Sequence, residues 1–398
     1  MIPISKLASS VLPSATLAAG AKAKQMKASG IKVYDYSLGE PDFPTPDHIC
    51  KAAEAAMKAG HTHYTPVNGI PELKSAICKW YKRYHGLECT PEQVIVSNGA
   101  KHSIHNALLA TLNPGDEVVI PSPYWVSYSD LVQMTGAKAV LVPTTAAALF
   151  KMTPAQLTAA ITPRTRLLMI NSPSNPTGMV YSRAELEALM DVILGTDVAV
   201  LSDEIYEQLT YGTAKPTCVA TLRPRLKDRV ITISGASKSY AMTGWRMGWT
   251  VAAAPLINAM GNVQSQETSC PSSVSQYALL AALDGPQECV AEMRKEFEFR
   301  RNLAAQRLRD IPGITFPMPD GAFYIFFDVS AYFGKTYGGV KITDSTSFCK
   351  AALEQAHVNF VPGLAFGTEG FARMSYASSR EDIERGLEKL AKWLLEKG

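Results

Sequence analysis

Five short apolar runs, the first three closed by turn residues and the first four separated by helical patterns, constrain this chain most. The runs cover 93–97, 117–120, 167–170, 198–201 and 230–233, and helices are predicted over 101–112, 126–135 and 183–194. A run that is apolar at consecutive positions suits a strand buried on both faces. Strands that alternate with helices build a parallel sheet covered on both sides. Towards the C-terminus the pattern changes. A charged helix is predicted over 290–309, strands over 321–329 and 371–376, and helices over 345–355 and 380–396. Strands and helices in separate runs point to a smaller α+β domain. The expected fold class is α/β, with a mostly parallel sheet between helix layers plus that smaller domain. With 398 residues the chain has room for two to three domains of roughly 150 residues. The expected large domain is 47–295, and the small domain combines 1–46 with 296–398.

Composition removes several functions. The net charge is +3 and no long basic run occurs, which argues against nucleic acid as the main partner. The seven cysteines are scattered and never spaced as CxxC, so neither a disulfide framework nor a zinc cluster is expected, and the reducing cytoplasm fits best. His102 and His105 lie three apart without a carboxylate pattern around them, so no metal site is expected. No apolar stretch suits a membrane span or a secretory signal. No GxGxxG opens the first strand–helix unit, which disfavours a nicotinamide dehydrogenase.

In an open parallel sheet, ligands sit beyond the carboxyl ends of the strands. The first run leads into Asn98-Gly99-Ala100-Lys101 at a helix start, where small residues let backbone N–H groups approach an anion. The second leads into Pro121-Ser122-Pro123-Tyr124-Trp125, an aromatic pair on a loop, and the third into NSPSNPTG (171–178). The fourth leads into SDEIY (202–206), with Asp203 and Tyr206. The fifth leads into SGASKSYAMTGWRMG (234–248), with Lys238 and Arg246. This set meets the needs of a phosphorylated pyridine aldehyde. A lysine can hold the aldehyde as an imine and a carboxylate can hold the protonated ring nitrogen. An aromatic face can stack on the ring, and N–H groups with an arginine can hold the phosphate.

Three further blocks extend the pattern: YSLGEPDFPTP (36–46), HYTPVNGIPEL (63–73) and FARMSYASS (371–379). With VSNGAKHSI (96–104), PSPYWVSY (121–128) and the three strand-end motifs, they span nearly the whole chain. In this order they resemble the fold-type-I pyridoxal 5′-phosphate enzymes. Within these, the resemblance is to class I aminotransferases of the aspartate aminotransferase type, in the branch of bacterial and plant-type aspartate/prephenate aminotransferases.

The resemblance implies roles residue by residue. Lys238 carries the cofactor and moves the Cα proton, Asp203 holds the ring nitrogen, and Tyr206 and Asn175 meet the ring's 3′-oxygen. Trp125 stacks on the ring. Gly99, Ala100, Lys101, Ser237 and Arg246 surround the phosphate, although Gly235 stands where relatives often have a serine. Tyr64 reaches the phosphate of a neighbouring subunit, which implies a homodimer with shared active sites. Arg373 grips the substrate α-carboxylate, with Gly39, Trp125 and Asn175 beside it. No arginine occurs in 264–275, where many relatives carry one for a distal carboxylate, and Lys101 matches the lysine that the aspartate/prephenate branch uses instead. Ser14 and Thr16 are expected near the same pocket.

The expected activity is ping-pong transfer of an amino group from aspartate or glutamate to a 2-oxo acid, with prephenate as a further acceptor. An aminotransferase for alanine or aromatic amino acids, a C–S lyase and a carboxycyclopropane synthase share the cofactor-binding residues and stand as alternatives. A cofactor-binding transcriptional regulator is disfavoured, because the motifs begin near Tyr36.

Overall fold

A computed structural model of the protein describes residues 2–11, 13 and 15–396. Its centre is a seven-stranded sheet. In chain order the strands are β1 (Val94–Asn98), β2 (Glu117–Ser122), β3 (Lys138–Pro143), β4 (Thr165–Asn171), β5 (Ala199–Asp203), β6 (Val230–Gly235) and β7 (Met247–Val251). They lie in the spatial order β1-β7-β6-β5-β4-β2-β3, and β7 alone runs antiparallel to its neighbours.

Successive strand residues enter different cores, because side chains alternate across a sheet. Val94, Val96, Leu168 and Ile170 pack in one apolar cluster, and Ile95, Leu167 and Met169 in another. Both faces are covered, and this is why the strands read as unbroken apolar runs rather than alternating ones. Helices cover them: α1 (Asp47–Lys58), α2 (Pro71–His85), α3 (Ala100–Thr111), α4 (Ser127–Met134), α5 (Arg183–Leu194), α6 (Ala254–Glu267) and α7 (Ser273–Asp284). The start of α5 shows the local logic. Ser182 Oγ accepts from the Glu185 N–H at 3.3 Å, and Glu185 Oε2 accepts from the Ser182 N–H at 2.7 Å. This reciprocal cap satisfies two orphan donors and precedes a face that buries Leu186, Leu189, Met190 and Ile193.

The long helix α8 (Glu288–Arg309) leads to a three-stranded antiparallel sheet of β8 (Tyr324–Asp328), β9 (Val361–Pro362) and β10 (Phe371–Ser375), with β10 in the middle. The N-terminal segment joins this part of the molecule. Tyr34 and Asp35 pair in parallel with Val358 and Asn359, and the Ser375 N–H donates to the Tyr36 carbonyl at 2.9 Å. The helix expected over 345–355 divides. An α-helix over Ser345–Ala351 passes into a wider π-turn, Ala352–Ala356, closed by His357 with φ +60°.

Among the described residues, no helix is long and apolar enough to cross a membrane.

Candidate active site

The parallel strands end at one edge of the sheet. Because β7 is antiparallel, its start lies at that same edge. Asn98 pairs with Met247 and Gly235 with Gly248, so Arg246 arrives beside the ends of β1 and β6. A cavity of about 410 Å³ opens there, between the sheet edge and the small sheet that carries Tyr324 and Arg373.

Asp203 is the last residue of β5 and lies at the cavity floor, buried. Its Oδ2 accepts from Tyr128 Oη at 2.6 Å, and its Oδ1 from the Ile205 N–H at 3.2 Å. Burial pushes its carboxyl up to about 6, against those two hydrogen bonds and the nearby Lys238 ammonium, which pull it down. The spacing of three between Asp203 and Tyr206 would put both on one face of a helical turn, but no helix forms here. Residues 204–208 form a tight turn after the strand rather than a helix, and that turn brings both side chains to the cavity. The Tyr206 and Tyr324 hydroxyls are 2.9 Å apart.

Lys238 sits in the short helical turn that follows β6, and its Nζ donates to the Gly39 carbonyl. Burial pulls its pKa down to about 8. Arg246 and Arg373 push the same way, while Glu40 and Asp203 oppose them. A lysine near 8 is neutral often enough at physiological pH to attack an aldehyde or to accept a proton.

Arg373, in β10, is only 1% exposed. It donates from Nη1 to Asn175 Oδ1 at 3.0 Å and from Nη2 to the Ser37 carbonyl at 2.6 Å. These partners are neutral, and its Nε has no acceptor. The guanidinium faces the Tyr324 ring at 4.5 Å and the Phe366 ring at 5.0 Å. A buried cation with an unused donor, facing a cavity, is suited to an arriving carboxylate.

Gly99 caps α3 at φ +86°, a backbone region that glycine enters freely. A Cβ there would stand 2.5 Å from Arg246 Nη2, so the absent side chain lets the guanidinium lie across the helix start. The N–H groups of Ala100 and Lys101 open the helix and have no acceptor four residues back. With Ser237 and Arg246 they make an anion cradle. At Gly235, a Cβ would meet the Met247 carbonyl at 2.8 Å, so the serine of relatives has no room here without a shift. Trp125 forms a wall, and Lys101 Nζ lies 4.9 Å from its ring centre. Burial and then Arg246 lower the Lys101 pKa, and Asp130 opposes them.

The cavity thus gathers Gly39, Ala100, Lys101, Trp125, Asn175, Asp203, Tyr206, Ser237, Lys238, Arg246 and Arg373. Gly99 adjoins it through Arg246. Tyr64 does not line it and is 90% exposed. Ser14 and the Thr16 side chain lie outside the described residues. Tyr128, Tyr324 and Glu40 were not singled out from sequence. Tyr128 follows Trp125 by three residues, and the turn into α4, where the Tyr128 N–H donates to the Trp125 carbonyl at 2.9 Å, brings the two rings to 5.3 Å. Tyr324 carries no comparable local signal. The donor set fits pyridoxal phosphate: an amine of lowered pKa, a carboxylate on the floor, an aromatic wall and an anion cradle.

The family described as aminotransferase class I and II matches residues 31–390. The chain is 49% identical to the aspartate/prephenate aminotransferase of Cereibacter sphaeroides, over 96% of each chain. It is 46% identical to the aspartate aminotransferase of Geobacillus stearothermophilus, over 98% of each. The crystal structure of the Rhizobium meliloti aspartate aminotransferase superposes with a TM-score of 0.97 at 44% identity, covering 100% of both chains.

Proposed function

The chain belongs to the class I and II aminotransferase family and is a pyridoxal-phosphate enzyme of the aspartate aminotransferase type, and from that premise we propose the following division of labour. It transfers the amino group of aspartate or glutamate to a 2-oxo acid in two half-reactions, with prephenate as a further acceptor. The bound cofactor supplies a covalent anchor for the amino group and an electron sink for the Cα carbanion.

The residues do the rest. Arg373 binds the substrate α-carboxylate in a fork and holds Cα against the reacting face. Asn175, already bonded to Arg373, keeps that fork oriented. Lys238 would hold the cofactor through its Nζ and, when a substrate amine takes that place, would move the proton at Cα. Asp203 holds the pyridine nitrogen protonated, and Tyr128 fixes the carboxylate's angle from behind. Tyr206 would donate to the ring's 3′-oxygen, and Trp125 would offer its face to the ring. The N-terminus of α3, Ser237 and Arg246 hold the phosphate. Lys101, at the mouth above Trp125, reads the distal carboxylate of an acidic substrate. Tyr64, exposed on a single chain, reaches the phosphate of a second copy, so the working form is a homodimer. The domains divide at 47–295 against 1–46 with 296–398, and α8 crosses that boundary as a continuous helix. The seven cysteines are free, which suits the cytoplasm.

The observation that carries this reading is Arg373: a buried guanidinium with only neutral partners, aimed into a cavity that also holds a lysine and an aspartate. The test is a half-reaction. Cofactor-loaded protein is mixed with aspartate, glutamate, alanine, phenylalanine or arogenate, without any oxo acid, and the visible band is followed into the near-ultraviolet pyridoxamine band. Fast conversion by aspartate and glutamate supports the reading. Conversion by alanine or phenylalanine alone overturns the acidic preference and keeps the enzyme class.

A further inference from the structure

Behind the cavity floor lies a buried ionic cluster that the proposed chemistry does not use. Side chains alternate along β5, so Ser202 and Glu204 turn away from the face on which Asp203 meets the cavity. Glu204 and Glu207 are 2% and 3% exposed, and the His85 side chain 3%. Glu204 Oε1 accepts from Ser202 Oγ at 2.8 Å and from the Val219 N–H at 3.0 Å. Glu207 Oε1 accepts from Trp80 Nε1 at 3.3 Å and from Ser234 Oγ at 3.2 Å. His85, the last residue of α2, sets its Nε2 against Glu207 Oε2.

These contacts tie three elements together. Trp80 and His85 belong to α2, Glu204 and Glu207 to the turn that follows Asp203, and Ser234 to the strand that delivers Lys238. The turn itself is held by the Glu204 N–H donating to the Ile233 carbonyl at 2.7 Å and the Glu207 N–H donating to the Glu204 carbonyl at 2.9 Å. Two buried carboxylates so close in sequence repel each other unless a cation answers them. Burial pulls the imidazole down, but Glu207 and then Glu204 outweigh it and hold its pKa at about 9. The C-terminal end of α2 favours the same positive charge. Burial pushes Glu204 up to about 7, with His85 pulling it back and Glu207 adding to the rise. Tyr81 and Cys218 also face the cluster, and both are pushed further towards their neutral forms by burial.

We propose that His85 is a positioning residue: as an imidazolium paired with Glu207, it clasps the turn after β5 from behind and sets Asp203 and Tyr206 at the angle the cofactor ring requires. The proposal rests on the reading of Asp203 as the partner of the ring nitrogen.

The test compares His85→Gln with the double variant His85→Gln/Glu207→Gln, in which a neutral amide pair replaces the ion pair. The measurements are the cofactor dissociation constant of the apoprotein, the visible band of the loaded protein, kcat and KM, and the melting temperature. His85→Gln is expected to raise the dissociation constant and lower kcat by about tenfold each, a modest share of the cost of stranding a buried carboxylate, with donor KM within about twofold. The double variant is expected to recover both to within about threefold, because the carboxylate stranded by His85→Gln is removed with it, while Glu204 keeps its Ser202 and Val219 donors. A lower melting temperature in both variants, with the dissociation constant, band and kcat unchanged, means a merely structural role and overturns the proposal. Should His85→Gln not fold, Ser234→Ala removes only one donor to Glu207. A dissociation constant raised about threefold then supports the clasp, and an unchanged one overturns it. Asp203→Asn runs alongside. If it leaves the band and the dissociation constant untouched, the reading of Asp203 has failed. If it shifts both while His85→Gln shifts neither, only the clasp has failed.

Discussion

The floor and the mouth of the cavity are built on different physics. On the floor, Asp203, Tyr206 and Arg373 are buried, and each is bonded to another part of the same chain. At the mouth, Lys101 and Arg246 are exposed on one chain, and Tyr64, which does not line the cavity, stands almost fully in solvent. Burial therefore sets protonation below, where Asp203 rises to about 6 and Lys238 falls to about 8. Above, burial also lowers the Lys101 pKa, but the side chain stays open to whatever arrives. A group whose protonation is shifted strongly by desolvation suits proton chemistry, and a charge left open to solvent suits capture.

This contrast predicts that floor substitutions cost far more than mouth substitutions. The largest effect belongs to Lys238→Ala. Removing a positioned proton carrier is expected to lower kcat by up to roughly 10⁴-fold, with the visible band of the lysine-bound cofactor gone. A variant within tenfold of the parent would break the comparison at its root. Next comes Arg373→Lys. A point charge cannot reproduce a planar fork, so kcat/KM should fall by roughly 10²–10³-fold for every amino donor, acidic or not, as two charge-assisted bonds are lost. Steady-state kinetics with aspartate and alanine decide it, and a loss confined to aspartate would move Arg373 from the α-carboxylate to the distal one.

The pH dependence of cofactor capture sharpens the same contrast. Only the neutral amine attacks the aldehyde, so the capture rate of the apoprotein tracks deprotonation of Lys238. With a pKa of about 8, the rate should rise by about fiftyfold between pH 6 and 8 and level off above about 9. A solvated lysine, near 10.4, would keep rising past pH 10. Stopped-flow absorbance separates the two curves. Linkage has the matching sign. The folded-state pKa is depressed, so the folded chain binds fewer protons than the unfolded chain between about 8 and 10.4, and Lys238 makes the apoprotein relatively more stable as pH rises through that window.

Much of the floor was legible in sequence, because in a parallel sheet strand ends and function coincide. Each buried strand is a short apolar run, and the loop after it is forced to one edge. That rule places the loops that hold Lys238, Asp203 and Asn175, and the resemblance then assigns each residue its role. Strand β7 was missed, since Met247–Val251 sits inside a motif of mixed composition and its direction depends on partners distant in sequence. Edge strand β3 was missed as well. It is half exposed and lacks the doubly buried signature of its neighbours. Tyr324 reaches Tyr206 across 118 positions, and no local pattern encodes such a contact. His85 and Glu207 meet across 122 positions for the same reason.

At the mouth, effects should be smaller and selective. Lys101→Ala is expected to lower kcat/KM for aspartate by roughly tenfold, one charge-assisted bond weakened by exposure, and to leave alanine untouched. Unchanged kcat and KM for aspartate would remove Lys101 from the substrate.

The smallest expected effect is the most informative about assembly. Tyr64→Phe removes one hydroxyl and should weaken cofactor binding by about tenfold or less, the worth of a single bond to a charged group. The size says little, but the location of the defect says much. If Tyr64 serves its partner's site, a hybrid of a Lys238→Ala chain with a Tyr64→Phe chain contains one intact active site. The Tyr64→Phe chain supplies Lys238, and the Lys238→Ala chain supplies Tyr64. That site should bind cofactor with the parent affinity while its reaction rate per hybrid is about half the parent's, one site in two. If Tyr64 serves its own chain, every site that retains Lys238 lacks the hydroxyl, and the weakened affinity persists in the hybrid. Mixing differently tagged chains, isolating the hybrid and titrating it with cofactor therefore tells whether the exposed tyrosine belongs to this cavity or to its neighbour's.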